Sequence, residues 1–227
     1  MPLPYRDRAD AGRALAADLL AFAGRPDVLV LALPRGGVPV AYEIAQLLRA
    51  PLDVFVVRKL GVPGHEELAM GAIATGDIVV LNREVLSMLR ISREDLDAAI
   101  GRERLELARR DREYRDSRPP PQIARKLVIL VDDGLATGST MLAAVRALRE
   151  EHPQRIIVAV PVASREAVAL LRGEGVEVVC SATPEPFYGV GWWYQDFNQT
   201  TDAEVRELLA RQSGRAEAPS QPPQPFG

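Results

Sequence analysis

Short, nearly continuous runs of apolar residues recur along this chain, and most of them precede a segment whose apolar positions have helical spacing. The runs are VLVLAL at residues 28–33, LDVFVV at 52–57, KLVILV at 126–131, RIIVAVPV at 155–162 and VEVVC at 176–180. Strands that are apolar at every position are typical of parallel sheets that are buried on both faces. The sequence therefore predicts an α/β fold, a doubly wound, Rossmann-like and mainly parallel sheet with helices on both faces.

Composition and charge narrow the class of protein. Apolar residues make up 47% of the 227 residues, which is enough for a sizeable core. The formal charge of -3 gives no electrostatic footprint for nucleic acid, and no run approaches the roughly 20 apolar residues of a membrane span, so we expect neither partner. Cys180 is the single cysteine, which excludes a disulfide framework and a cysteine-based zinc site. With a charged N-terminus unlike a signal peptide, these features favour a cytoplasmic protein.

Two segments depart from the alternation of strands and helices. Residues from about 82 to 120 contain Ser92-Arg93-Glu94-Asp95, a capping box that opens a long, charged helix, and we predict a helical insertion there. Residues from about 181 to 202 are rich in aromatic side chains and are predicted to form a small C-terminal hood. The Ser, Gln and Pro content of residues 213–227 predicts a disordered tail. We interpret residues 1–212 as one domain.

The segment LVILVDDGLATGST at residues 127–140 carries the most specific chemical pattern. Its apolar run predicts a buried strand, Asp132 and Asp133 follow at the carboxyl end, and the next residues turn into a helix, which is where open α/β sheets bind ligands. Free amides at a helix start form an anion cradle. The hydroxyls beside them are those of Thr137, Ser139 and Thr140. Because ionised carboxylates only accept hydrogen bonds, the ligand should also offer hydroxyl donors, and ribose 5-phosphate offers both groups.

Other phosphate and nucleophile motifs do not fit this segment. A Walker loop requires a lysine after its last glycine, whereas Ser139 follows Gly138 here. No Gly-x-Ser-x-Gly elbow surrounds Ser139, and the dinucleotide fingerprint Gly-x-Gly-x-x-Gly is absent. The sequence therefore argues against a P-loop nucleotidase, a serine hydrolase of the elbow type and a dinucleotide-binding enzyme.

The pattern VILVDDGLATGSTM resembles the phosphoribosyl pyrophosphate loop of the type I phosphoribosyltransferases, which has an apolar run, two acids, small residues and Thr-Gly-Gly/Ser-Thr. The resemblance implies that residues 132–140 bind the ribose 5-phosphate group. These residues are Asp132, Asp133, Gly134, Leu135, Ala136, Thr137, Gly138, Ser139 and Thr140. It also implies Mg²⁺ as the cofactor, with Asp132 and Asp133 acting in catalysis and holding the magnesium ion through water.

A second loop of that family binds pyrophosphate through backbone amides, and its matching position here is LPRGGVP at residues 33–39. The resemblance assigns Arg35, Gly36 and Gly37 to this group. Lys59 follows the predicted strand 52–57 and precedes a Gly- and Pro-containing stretch that we interpret as a mobile loop, so it is also placed for pyrophosphate. Arg35 and Lys59 are therefore expected to act in catalysis by neutralising the leaving group.

The acceptor of the phosphoribosyl group is left open by the sequence. The predicted hood resembles in position the segment that covers the nucleobase, which makes Phe187, Trp192 and Trp193 candidates for stacking, and Glu67 is a further acceptor-binding candidate. An aromatic patch that seals the sheet edge, or that forms a dimer contact, is the alternative interpretation. The 6-oxopurine enzymes carry an acid just before the loop threonine, where this chain has Ala136, so hypoxanthine and guanine are disfavoured.

The resemblance implies a phosphoribosyltransferase of nucleotide salvage, which transfers the phosphoribosyl group of phosphoribosyl pyrophosphate to a small nitrogenous acceptor and releases pyrophosphate. Two other functions stay open: a non-catalytic sensor of phosphoribosyl pyrophosphate or a nucleotide, and a metal-dependent phosphohydrolase that uses Asp132 and Asp133. Homodimers are common in the family, and the apolar side of the predicted insertion helix is a candidate interface.

Overall fold

The computed structural model describes residues 3–115 and 118–216, apart from the side chains at positions 66, 67, 215 and 216. The strands are β1 Val28–Ala32, β2 Leu52–Val54, β3 Val57–Val62, β4 His65–Ala74, β5 Ile78–Leu81, β6 Leu127–Val131, β7 Arg155–Val162 and β8 Glu177–Ala182. The α-helices are α1 Arg8–Asp18, α2 Gly37–Leu48, α3 Arg83–Met88, α4 Arg93–Arg115, α5 Ser139–Glu150, α6 Arg165–Gly173 and α7 Asp202–Ala216. Short 3-10 helices span Leu20–Phe22 and Val190–Trp193.

The main sheet is parallel throughout and has the strand order β2-β1-β6-β7-β8. Every residue of β1 and β6 is buried, as the unbroken apolar runs predict. Val28 and Val30 belong to the core cluster that includes α1 and α2, whereas Leu29 and Leu31 belong to the cluster that includes α5 and α6. Successive side chains of a strand point to opposite faces, so helices cover both sides of the sheet. The predicted doubly wound α/β fold is confirmed.

The segment after β2 corrects the sequence-based prediction. The predicted strand 52–57 is divided, because β2 ends at Val54 and β3 begins at Val57. The stretch that we interpreted as a mobile loop, residues 61–76, forms the end of β3 and all of β4, and these two strands belong to a separate antiparallel sheet with the order β3-β4-β5. Only Pro63 and Gly64 form the turn of the β3–β4 hairpin. The apolar side chains of this hairpin are buried in the main core, and this burial outweighs the local Gly and Pro signal: they are Leu60, Val62, Met70 and Ile73.

Helices α3 and α4 occupy the predicted insertion, and α4 packs on β3, β4 and α7. Leu107 is buried in the main core, and Leu96 and Ile100 pack against it. The apolar side of α4 therefore covers the core of its own chain at these positions, and the homodimer stays a prediction. Arg115 anchors the end of the helix, because its buried guanidinium contacts Asp53 at 3.1 Å.

The C-terminal region follows the end of β8. Most of the predicted hood lacks regular structure, and its 3-10 turn lies near the carboxyl end of the main sheet, where it packs against Val162. Helix α7 continues through residue 216, four residues into the segment that we predicted to be a disordered tail, and residues 217–227 of that segment lie outside the described residues. None of the helices in the described ranges is long and apolar enough to cross a membrane.

Candidate functional site at the carboxyl ends of β1 and β6

The loop between β6 and α5 carries the predicted ribose phosphate residues. The buried strand β6 ends at Val131, and Asp132 and Asp133 follow directly. Gly138 then makes the turn into α5 with a positive φ of 73°. A residue with a Cβ atom is strained in this left-handed conformation, which favours glycine at position 138. Chain geometry thus places two carboxylates and a helix start within one short connection.

Hydroxyl groups and a cation meet at the start of α5. The Oγ1 of Thr137 lies 3.0 Å from the Oγ of Ser139, and the Nζ of Lys59 donates to the same Ser139 Oγ at 2.9 Å. The first amides of a helix have no acceptor within the helix, so they are free to bind an anion. Lys59 lies in β3 and contacts the start of α5, so the hairpin sheet contributes directly to the loop that the sequence singled out.

Asp132 and Asp133 each use one carboxylate oxygen within the protein. Asp132 Oδ1 accepts a hydrogen bond from the backbone amide of Asp133 at 2.8 Å, and Asp133 Oδ2 accepts one from the Nε of Arg8 at 2.8 Å. Burial, and next the neighbouring charge of Asp133, raise the pKa of Asp132 well above its ordinary value. Burial also raises the pKa of Asp133, although the Arg8 guanidinium opposes this rise.

The loop between β1 and α2 lies beside this pair. Strands β1 and β6 pair in register, so Ala32 and Val131 end side by side, and the amide of Leu33 donates to the carbonyl of Val131 at 2.9 Å. The peptide bond between Pro34 and Arg35 is cis. A Cβ atom on Gly37 would lie 2.6 Å from the carbonyl oxygen of Val131. The predicted pyrophosphate loop is therefore in direct contact with the predicted ribose phosphate loop.

The side chain of Arg35 is directed towards α7. Its Nη1 lies 3.6 Å from the Oδ2 of Asp202, whose Oδ1 accepts a hydrogen bond from the hydroxyl of Tyr114 at 2.7 Å. Burial, together with this hydrogen bond, raises the pKa of Tyr114 to about 12. Both members of the Arg35–Asp202 pair are about one-third exposed, so the guanidinium is still accessible to an anion at the loop.

The amino-acid sequence matches the phosphoribosyl transferase domain family over residues 5–181, which includes both loops. The chain belongs to this family. The phosphoribosyl transferase fold is accordingly the scaffold on which both predicted anion loops and the carboxylate pair are arranged.

Three proteins of other organisms are similar to this chain in sequence or in structure. Rv0571c of Mycobacterium tuberculosis strain H37Rv, whose name assigns it to the phosphoribosyl transferases, is 43% identical over 225 residues, covering 96% of this chain and 51% of that protein. The crystal structure of TT1426 from Thermus thermophilus superposes with a TM-score of 0.84 and 42% identity over 92% of this chain and 99% of that chain. The bifunctional protein PyrR of Brevibacillus brevis is 35% identical over 99 residues, 41% of this chain and 55% of that protein. The chain spans about half the length of these curated relatives.

Two residues that contact Asp133 were not identified from the sequence. Arg8 lies in α1, 125 residues before its partner Asp133, and no local motif connects them. Tyr194, in the predicted hood, donates its hydroxyl to the backbone carbonyl of Asp133 at 2.6 Å. Its position within an aromatic-rich segment was the available signal, but the sequence did not distinguish it from its neighbours.

The predicted acceptor residues are divided by the structure. Phe187 and Trp193 pack against a cluster that includes Tyr5 and Val162 at the edge of the main sheet, whereas Trp192 is 71% exposed. The ring of Trp192 contacts that of Tyr188, with centroids 5.5 Å apart. Glu67 lies in β4, but its side chain is outside the part of the chain that the structure describes. Phe187 and Trp193 thus match the alternative interpretation of a patch that seals the sheet edge.

Within the described residues, no group of three or more His, Cys, Asp or Glu side chains is arranged to hold a metal ion. Mg²⁺ commonly keeps several waters and is bound by one or two carboxylates together with substrate phosphates. The carboxylate pair of Asp132 and Asp133 fits a magnesium site of this kind, in which substrate phosphates supply further ligands. Each of the two side chains has one oxygen that is not occupied by a hydrogen bond among the described residues.

Proposed function

We propose that this chain transfers the 5-phosphoribosyl group of phosphoribosyl pyrophosphate to a small nitrogenous acceptor of nucleotide salvage and releases pyrophosphate. The observation that carries the proposal is the contact between two anion-binding loops at the ends of adjacent strands, with a carboxylate pair between them. A substrate with two phosphate-bearing ends and a diol in its middle matches this order of groups. Membership in the phosphoribosyl transferase family supports the same substrate class.

Each part of the substrate has a counterpart in the site. The 5-phosphate would bind the amides and hydroxyls of residues 137–140, and Lys59, whose Nζ contacts Ser139, would lie between this group and the pyrophosphate. The ribose hydroxyls would donate to the unoccupied oxygens of Asp132 and Asp133. The pyrophosphate would bind the amides of residues 35–37 and the guanidinium of Arg35. This binding mode uses both charged loops and leaves the hood side of ribose C1 for the acceptor.

The residues also fit Mg²⁺, which Asp132 and Asp133 would hold through water. When bound, the ion would supply positive charge that neutralises the pyrophosphate oxygens. The protein itself would contribute the loop amides, Arg35 and Lys59. Electrostatic contacts of this kind are each worth about 3 kcal/mol of the reaction barrier.

The proposed reaction breaks the bond between ribose C1 and the pyrophosphate oxygen, which leaves with the electron pair. Positive charge develops at C1, and a nitrogen of the acceptor supplies the electron pair of the new bond. Ala136 offers no carboxylate as a general base for a purine ring, and its carbonyl already accepts a hydrogen bond from Ser164 at 2.6 Å. We therefore disfavour hypoxanthine and guanine as acceptors.

The test is a calorimetric titration of phosphoribosyl pyrophosphate with Mg²⁺ into the wild type and into Asp132→Asn/Asp133→Asn, followed by a screen of bases for pyrophosphate release. We expect binding that the double variant loses, and release with at least one base. Binding without release for any base would instead favour the sensor. Release of phosphate from simple phosphomonoesters would favour the phosphohydrolase, and absence of binding to the wild type would overturn the proposal.

A further inference from the structure

Arg8 makes contacts with both halves of the candidate site. Its Nε donates to Asp133 Oδ2 at 2.8 Å, its Nη1 donates to the carbonyl of Asn198 at 2.6 Å, and its guanidinium lies 4.0 Å from the centroid of the Phe197 ring. Asp133 belongs to the β6–α5 loop, whereas Asn198 and Phe197 belong to the predicted hood. The Arg8 side chain of α1 thus links Asp133, which is proposed to bind the ribose, to the predicted hood.

The ion pair between Arg8 and Asp133 is shielded from water. The two side chains retain only 11% and 15% of their exposed area. A charge-assisted hydrogen bond is stronger than a neutral one, and the planar guanidinium holds several acceptors in a fixed geometry. Lys could not reproduce this arrangement, because its ammonium group lacks the planar fork. The orientation of the Asp133 carboxylate is therefore determined by Arg8.

This orientation leaves a defined oxygen for a ligand. Arg8 occupies Oδ2 of Asp133, and Gly36 lies against the same oxygen from the β1–α2 loop. Among the described residues, Oδ1 of Asp133 accepts no hydrogen bond from another residue's side chain. A ribose hydroxyl that binds Asp133 would thus meet Oδ1.

The hood is attached to the N-terminal segment as well as to Asp133. The amide of Tyr5 donates to the carbonyl of Trp193 at 2.9 Å, and the amide of Gln195 donates to the carbonyl of Tyr5 at 2.8 Å. Tyr194, which lies between Trp193 and Gln195, donates its hydroxyl to the backbone carbonyl of Asp133. Arg8 follows Tyr5 by three residues, so the hydrogen bonds of Tyr5 hold the start of α1 beside the hood.

We propose that Arg8 is a positioning residue that directs the free oxygen of Asp133 at a ribose hydroxyl and couples the hood to the ribose site. The inference rests on the proposed function, since it requires a ribose 5-phosphate ligand. It extends the site to a residue that lies outside both loop motifs. Its consequence is that Arg8 contributes to recognition of the diol and does not contribute to recognition of the phosphate.

The experiment compares four ligands by calorimetry: ribose 5-phosphate, its 2-deoxy analogue, its 3-deoxy analogue and inorganic phosphate. A deoxy analogue lacks one hydroxyl that would donate a hydrogen bond to a charged carboxylate. We therefore expect the wild type to bind ribose 5-phosphate about 10- to 100-fold more tightly than at least one deoxy analogue. Arg8→Gln should reduce this discrimination to about threefold or less and leave the affinity for inorganic phosphate unchanged. Arg8→Lys, which keeps the charge, should give an intermediate discrimination.

Two further variants make the result specific. Arg6→Gln is the matched control, because Arg6 is close in sequence, its side chain is 67% exposed and it pairs with Asp10. It should bind all ligands as the wild type does. In an Asp133→Asn background, Arg8→Gln should cause no additional loss of discrimination, because Arg8 acts through Asp133.

The outcomes separate this inference from the proposed function. If the wild type discriminates the diol and Arg8→Gln discriminates it equally well, the role of Arg8 is refuted and the proposed function stands. If the wild type does not bind ribose 5-phosphate, the proposed function and this inference both fail. A parallel loss of phosphate affinity in Arg8→Gln would also refute the inference, since it would show a general distortion of the site.

Discussion

Gly36 lies so close to Asp133 that a Cβ atom at position 36 would be 2.1 Å from the carboxylate Oδ2. The same oxygen is held by Arg8, so the carboxylate has little freedom to move away from residue 36. The two loops at the ends of β1 and β6 are therefore matched at a position where only glycine fits. This contact makes the geometry of the site sensitive to the smallest change of side chain.

The first prediction concerns Gly36→Ala. We expect it to weaken binding of phosphoribosyl pyrophosphate with Mg²⁺ and to lower the free energy of unfolding by about 1–3 kcal/mol, since an added methyl group forces a packed neighbour to shift. The matched control is Gly101→Ala in α4, where an added Cβ would meet no atom within 4 Å. The control should bind normally and gain about 0.5–1 kcal/mol of stability from helix propensity. Calorimetry and urea denaturation measure both effects, and unaltered binding by Gly36→Ala would contradict the prediction.

The second prediction concerns Lys59, whose ammonium contacts Ser139 at the start of α5. Lys59→Met removes a positive charge from the proposed phosphate and pyrophosphate region, so we expect kcat for pyrophosphate release to fall about 100-fold. Because Lys59 is exposed, the melting temperature should stay within error of the wild type. The other lysine of the chain, Lys126, donates to the carbonyl of Pro26 before β1 begins and provides the control Lys126→Met. Equal rates for the two variants would remove Lys59 from the mechanism.

The loop motif was predictable because its chemistry is contiguous in the sequence. Asp132, Asp133 and the start of α5 follow one buried strand, so the strand, the turn and the helix cap are encoded within residues 127–140. The apolar run of β1 likewise predicted a strand buried on both faces, and every residue of this strand is buried in the structure. Local patterns of this kind are sufficient where the partner groups are neighbours along the chain.

The parts that escaped prediction depend on distant partners. Arg8 and Asp133 are 125 residues apart, so their ion pair exists only once α1 has packed on the main sheet. The β3–β4 hairpin escaped because its glycines indicate a loop, whereas Leu60 and Met70 are buried in the core only in the finished fold. In each case tertiary packing, which leaves no local pattern, decided the structure.

The third prediction concerns the pH dependence of stability. The folded-state pKa of Asp132 is raised, so between about pH 4, where an unfolded aspartate titrates, and the raised pKa the folded state binds more protons than the unfolded state. This carboxyl therefore makes the free energy of unfolding decrease as the pH rises through that window. Asp132→Asn should remove the part of the decrease that Asp132 causes, and denaturation in magnesium-free buffer from pH 4 to 7 measures it.

Asp10 provides a control of opposite sign for the same measurement. Its pKa is lowered, first by the hydrogen bond from the backbone amide of Arg6, so it stabilises the fold above the ordinary aspartate pKa and loses this contribution as the pH falls. Asp10→Asn should therefore lower stability at pH 7 relative to pH 4, whereas Asp132→Asn should raise it. Shifts of the same sign in both variants would show that the environment of Asp132 differs from the one described.

The last prediction concerns the helical insertion, which Arg115 attaches to the main sheet. Its buried guanidinium contacts Asp53 at 3.1 Å and donates to the carbonyl of Val54 at 2.7 Å. Arg115→Met leaves the largely buried Asp53 without its counter-charge, so we expect a loss of about 3–5 kcal/mol in the free energy of unfolding. The control is Arg109→Met, which breaks the exposed ion pairs of Arg109 with Glu106 and Glu113 and should leave the free energy of unfolding close to that of the wild type. The double variant Asp53→Leu/Arg115→Met removes both buried charges and should recover much of the loss in urea denaturation. A double variant as unstable as Arg115→Met would mean that lost packing, and not the unpaired charge of Asp53, causes the destabilisation.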